Sequence, residues 1–111
     1  MKNEVTEKNG VVIIALSGKI MGGPEAAQIN EQINNLLDNK KTKIIIDLQK
    51  VEWMNSSGLG ILIGAITTLK NNGGKMLLTN VSVRITKLLK ITKLAAVFET
   101  ADDVDTALKA F

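Results

Sequence analysis

The chain has no cysteine, no histidine and no tyrosine among its 111 residues. These absences remove disulfides, thiolate and imidazole metal sites, Cys–His and Ser–His–Asp nucleophile systems and catalytic phenols, and most enzyme classes go with them. Aromatic residues are scarce as well. Trp53, Phe98 and Phe111 are the whole set, too few for the stacking platforms of single-stranded nucleic acid binders, so direct nucleic acid recognition is not expected. The longest uncharged stretch, Trp53 to Leu69, is interrupted by Asn55, Ser56, Ser57 and three glycines, and it falls short of the roughly 18 apolar residues that a membrane span needs. Met1 to Gly10 carries Lys2, Glu4, Glu7 and Lys8 where a signal peptide would be apolar. A cytoplasmic protein without membrane insertion is the expectation.

Carboxylates are missing from one part of the chain. Between Trp53 and Phe98 there is none, while Lys70, Lys75, Arg84, Lys87, Lys90 and Lys93 give that span +6; the formal net charge is +3, so the remainder carries −3. Such asymmetry fits either a face that attracts an acidic partner or a solvated lysine surface. Arg84, Lys87 and Lys90 recur every three residues, a spacing that keeps them on one broad helical face. With 45% hydrophobic and 23% charged residues, the chain can bury a core, and its length predicts one domain over residues 1–111.

The pattern of elements alternates. Asn3 to Glu7 predicts an edge strand, turned by Lys8-Asn9-Gly10 into the β-prone run Val11 to Leu16. Pro24, after Gly22-Gly23, opens a helix whose Ile29, Ile33, Leu36 and Leu37 form one apolar stripe, closing at Asn39. Lys43 to Leu48 is a continuous β-branched run, the signature of a central strand covered on both faces. Leu59 to Leu69 is apolar almost all round, which predicts a largely buried helix starting near Ser57 and ending at Gly73-Gly74. Lys75 to Thr79 reads as another strand. Ser82 or Asn80 caps a third helix carrying Val83, Ile85, Leu88 and Leu89. Val97 to Glu99 reads as a last short strand, and Asp102, Asp103 and Asp105 as the first turn of a closing helix ending with Leu108 and Phe111. The order implies an α/β domain with a mixed sheet.

Among motifs, Gly58-x-Gly60-x-x-x-Gly64 misses the dinucleotide fingerprint by one position, and no acid follows at the required distance. Gly60 and Gly64 have the spacing of small-residue contacts and predict close approach of their helix to the sheet. Ile13 stands where a phosphate-binding loop ending in Gly18-Lys19 would need its first glycine, and no spacing points to a Ser–Lys pair. No catalytic residue, metal ligand or cofactor is assigned. The informative segment is Asn55-Ser56-Ser57-Gly58, two hydroxyls between a central strand and the N-terminus of an apolar helix. A serine there can cap the helix, and the same N–H groups and dipole would accommodate a phosphate. The placement predicts that Ser56 faces solvent while Ser57 turns to the first-turn amides. Asp47, ending its strand, is a hydrogen-bonding candidate near that loop.

Ile45-Ile46-Asp47-Leu48, Val51, Met54 and then Ser56-Ser57-Gly58-Leu59-Gly60 resemble the STAS domain, specifically the bacterial anti-sigma factor antagonists. The resemblance extends to Leu16-Ser17-Gly18-Lys19-Ile20, to Leu78-Thr79-Asn80-Val81 and to Leu88 through Phe98. It implies a four- or five-stranded mixed sheet packed by about four helices, with no catalysis of its own. It also implies binding to an anti-sigma factor with serine kinase activity, release of a sigma factor, and inactivation by phosphorylation at Ser56, with Ser57 as second choice. A PP2C-type phosphatase is a further candidate partner. The candidate partner-binding residues are Asn55, Ser56, Ser57 and Gly58, with Met21 and Gly22 after the second strand and Arg84 and Lys87 on the basic helix. Two positions depart from the family pattern: Asn55 replaces the usual acid before the serine, and Met21 replaces an acid after the second strand. Both remove negative charge near the serines. The resemblance also admits another class, a STAS subunit of a larger assembly such as a lipid-transport complex or stress-signalling scaffold, in which the serines only cap a helix.

Overall fold

Asn9 and Gly10, at φ of 55° and 78°, form the two-residue turn whose twist matches that of an antiparallel hairpin. It joins β1 (Lys2–Lys8) to β2 (Val11–Ile20) in the computed structural model, which describes residues 2–111. The chain continues through α1 (Pro24–Asp38), β3 (Lys43–Met54), α2 (Ser56–Asn71), β4 (Lys75–Thr79), α3 (Val83–Ile91), a 3-10 turn at Ala95–Val97, β5 (Glu99–Ala101) and α4 (Val104–Leu108). The five strands lie in sequence order, β1-β2-β3-β4-β5. The β1–β2 pair is antiparallel and the other three pairs are parallel. The sheet is therefore mixed, with five strands and four α-helices.

The isoleucine run of β3 shows why its strand reads as apolar throughout. Ile44 and Ile46 join the larger core with Val12, Ile14, Leu16, Met76 and Leu78, against Ile29 and Ile33 of α1, Leu59, Leu62 and Leu69 of α2, and Ile85 and Leu89 of α3. Ile45 points the other way, to a smaller cluster with Val11, Leu77 and Ala107 of α4. A central parallel strand is covered on both faces, so both sets of alternating side chains must be apolar. Three helices thus share one face of the sheet, and α4 lies on the other.

Several boundaries differ from the sequence expectation. β3 runs to Met54, six residues beyond Leu48, because β2 also continues to Ile20 and pairs with it through two register shifts, Ala15/Ser17 and Gly18/Lys19. β5 lies at 99–101 instead of 97–99, since its register is set by β4, where Leu77 faces Glu99 and Thr79 faces Ala101. Asp103 is the N-cap of α4, so Asp102 precedes the helix and Asp105 alone supplies an acid to the first turn. Gly60 has open space where a side chain would go, and Gly64 faces Asn30 of α1 at 3.8 Å. The glycine that brings α2 against the sheet is Gly58, because the close approach happens at the first turn of the helix, where it meets the end of β2.

Candidate functional site

β2 and β3 end side by side, Ile20 opposite Met54, and the site is built where they end. The Asn55 N–H donates to the Ile20 carbonyl at 3.4 Å, which carries the strand pairing one residue further and holds Asn55 in extended backbone (φ −102°, ψ −179°). From there its side-chain Oδ1 accepts the Gly58 N–H at 2.7 Å, and its own carbonyl accepts from Leu59 at 2.9 Å. Asn55 is the N-cap of α2. The cap satisfies one of the first-turn N–H groups that have no partner inside the helix. The expectation that Ser57 turns toward these amides is therefore corrected. Asn55 takes the capping role, and Ser56 and Ser57 are the first two helical residues, both exposed.

The loop after β2 closes over this helix start. Gly22 (φ 92°) and Gly23 (φ 73°) occupy the left-handed region, which a side chain disfavours. A Cβ on Gly22 would lie 2.9 Å from the Ser57 Cβ, so the loop backbone rests directly on Ser57. Met21, one residue earlier, is 45% exposed. The structure thus brings together Met21, Gly22, Asn55, Ser57 and Gly58. It places Ser56 beside them, exposed. At the two positions where the family resemblance expects acids, an amide caps the helix and Met21 stands in the loop.

Arg84 and Lys87 belong to a neighbouring surface. The Arg84 guanidinium lies over the Trp53 ring, 5.1 Å from its centroid, a cation–π arrangement that parks the charge on an exposed aromatic face. With Met54, Val83, Lys87, Leu88 and Ile91 these two residues line a groove of about 500 Å³. Val83 is 73% exposed and Ile91 80%: α3 buries Ile85 and Leu89 and turns Val83 outward. Sequence reasoning missed this groove. The available signal was the spacing of Val83, Lys87 and Ile91 at i, i+4 and i+8, a second helical stripe beside the core one.

Asp47 performs a structural task. Its Oδ1 accepts the Gln49 N–H at 3.1 Å and the Asn80 Nδ2 at 2.8 Å, tying β3 to the turn after β4, where Asn80 has φ 54°. Among the described residues no group of three or more His, Cys, Asp or Glu side chains converges as metal ligands, and no helix is long and apolar enough to cross a membrane.

Known proteins resemble this chain in sequence and in fold. The anti-sigma F factor antagonist of Paenibacillus polymyxa is 26% identical over 106 residues, covering 95% of this chain and 90% of the relative. A Thermotoga maritima protein of known structure superposes with a TM-score of 0.83 at 20% identity, over 97% of this chain and 92% of that one. The anti-sigma factor antagonist SpoIIAA is similar in its unphosphorylated form (TM-score 0.73, 21% identity, 98% and 96% covered) and, from Bacillus, in its phosphorylated form (TM-score 0.74, 21% identity, 99% and 100% covered). Residues 2–107 match the STAS domain, and the chain belongs to the STAS domain family.

Proposed function

We propose that this protein is an anti-sigma factor antagonist: it binds an anti-sigma factor that is also a serine kinase, so that a sigma factor is released, and phosphorylation of Ser56 ends the binding. The observation that carries the reading is the division of labour at the start of α2. Asn55 caps the helix, so neither serine is needed for that task, and both remain exposed. Of the two, Ser57 lies under the Gly22 backbone, which makes Ser56 the more accessible acceptor. The relatives support the same direction, since the Paenibacillus polymyxa protein is named for opposing an anti-sigma factor and SpoIIAA exists in both phosphorylation states.

The chemistry of the switch follows from the position. Phosphate on Ser56 adds about −1.5 to −2 charge. A helix N-terminus favours an anion by roughly 0.3–1 kcal/mol, so the modified domain stays folded. At a contact surface the same dianion must lose its water, and a partner carboxylate facing it is repelled. Binding is lost while the fold is kept, and a PP2C-type phosphatase restores it by hydrolysing the phosphate ester. In the competing reading, a STAS subunit of a larger assembly with no kinase, the exposed serines are never modified. Incubation with the anti-sigma factor kinase of the same organism and ATP, followed by phosphopeptide mapping, separates the two. Label on Ser56 supports the switch, label on Ser57 moves it by one residue, and no label from an active kinase defeats it.

A further inference from the structure

The groove between the end of β3 and helix α3 has Met54 and Leu88 of the core at its floor and an outer rim that the core does not use. α3 already buries its core stripe, Ile85 and Leu89, and yet Val83 and Ile91 stand 73% and 80% exposed with Trp53 at 40% beside them. Exposing three large apolar side chains around one hollow marks an interaction surface more often than a plain solvated face. The outer stripe from Val83 through Lys87 to Ile91 spans the nine residues of α3, about 12 Å from end to end, which matches roughly two turns of an opposing helix. The cations beside it have no carboxylate partner: Arg84 stacks on Trp53, neither Arg84 nor Lys87 forms an ion pair among the described residues, and no carboxylate occurs anywhere between Trp53 and Phe98. Met54, a groove residue, is followed directly by the cap Asn55 and by Ser56, so an occupant of the groove adjoins the serine corner.

We infer that this groove docks an acidic amphipathic helix of the partner protein, its apolar side chains seated on Trp53, Val83 and Ile91 and its carboxylates on Arg84 and Lys87. The inference rests on the proposed function and adds the recognition chemistry that it left open. Charge complementarity selects the occupant: a basic rim without any acid favours a segment rich in Asp and Glu and rejects a basic one. A second copy of this chain fits poorly. Its acidic stretch, Asp102 to Asp105, lies at α4 on the opposite face of the sheet, so copies joined that way would meet head to tail and grow without closure.

Trp53 is the single tryptophan of the chain and serves as an internal probe. The full-length protein, labelled with 5-fluorotryptophan, is titrated with the anti-sigma factor of its own organism and followed by fluorine NMR and by binding affinity. The expected result is a shifted Trp53 resonance on binding, an affinity at least about tenfold weaker in Val83→Ser/Ile91→Ser, and a slower on-rate in Arg84→Glu/Lys87→Glu that is more pronounced at low salt. All four positions are on the surface, and circular dichroism verifies that each variant is folded. If the wild type binds but its Trp53 resonance is unmoved and both double variants bind equally well, the groove assignment is wrong and the function stands. If the wild type does not bind, the function fails and takes the assignment with it. A Trp53 shift produced by anionic lipid vesicles and not by the partner, or by self-association in sedimentation, also overturns it.

Discussion

The carbonyl of Ile20 occupies the space that any side chain at position 58 would need. A Cβ on Gly58 would overlap the Ile20 oxygen and lie 2.7 Å from its carbonyl carbon. Both groups are backbone, so neither can rotate away, and relief requires α2 to move off the end of β2. Gly58→Ala should therefore destabilise the protein by about 3 kcal/mol, seen as a lower urea midpoint at unchanged slope. Gly60→Ala is the matched control. Open space surrounds that position within the same helix, so replacing the glycine should stabilise by about 0.5–1 kcal/mol. Equal losses in the two variants would contradict the close approach at position 58.

The cap on α2 gives a second test. Asn55→Ala removes the acceptor of the Gly58 N–H and should cost about 1 kcal/mol, whereas Asn55→Asp keeps the acceptor and adds a charge that the helix N-terminus favours, leaving stability equal or higher by about 0.3–1 kcal/mol. Ser57→Ala should change stability by less than about 0.5 kcal/mol, because an exposed hydroxyl without a capping bond is removed. Thermal melts of the three variants check the order, and a loss at Ser57 as large as that at Asn55 would return the cap to the serine.

Modification of Ser56 should separate binding from folding. Ser56→Asp should weaken the complex with the anti-sigma factor, in part reproducing the phosphate, and Ser56→Ala should bind whether or not kinase and ATP are present. Neither should shift the melting temperature by more than a few degrees, since the side chain is exposed and the helix end favours an anion. Calorimetric titration alongside a melt reads both quantities. A Ser56→Asp variant that loses affinity only because it melts early would sink the switch.

The last turn of the chain carries a pH dependence. The Asp103 carboxylate accepts the Thr106 N–H at 2.8 Å, and hydrogen bonding to the Thr106 backbone and side chain, with a smaller contribution from the Lys109 charge, lowers its pKa from the ordinary 3.8. A group depressed on folding stabilises the folded form above its unfolded pKa, and that contribution disappears as pH falls through the folded value. The Asp103 cap should therefore be intact at pH 5 and lost progressively below about pH 3.8. The protection factor of the Thr106 amide, its NMR exchange rate referred to the intrinsic rate at each pH, should fall over that range. Asp103→Asn, which caps without titrating, should remove this acid-dependent component.

Features governed by neighbours along the chain were legible in the sequence. The stripe Ile29, Ile33, Leu36, Leu37 after Pro24 marked α1, the run Lys75 to Thr79 marked β4 to the residue, and Ser82 caps α3 as its position suggested, with Ile85 N–H donating to its hydroxyl at 3.2 Å. Periodicity and capping are local, acting over three or four residues, so a linear reading captures them. The family signature around Ser56 was equally visible. What required the third dimension was every choice among local equals. Three adjacent residues, Asn55, Ser56 and Ser57, could each have capped α2, and the Ile20 carbonyl decided for Asn55 by holding its backbone extended at the end of β3. The weakly apolar Gln49 to Trp53 became strand because β2 extends alongside it. Val83, apolar and at a helix start, could have been core or surface. It became surface because Ile85 and Leu89 fix the rotation of α3 against the sheet, and a helix of 3.6 residues per turn cannot bury both stripes against one neighbour.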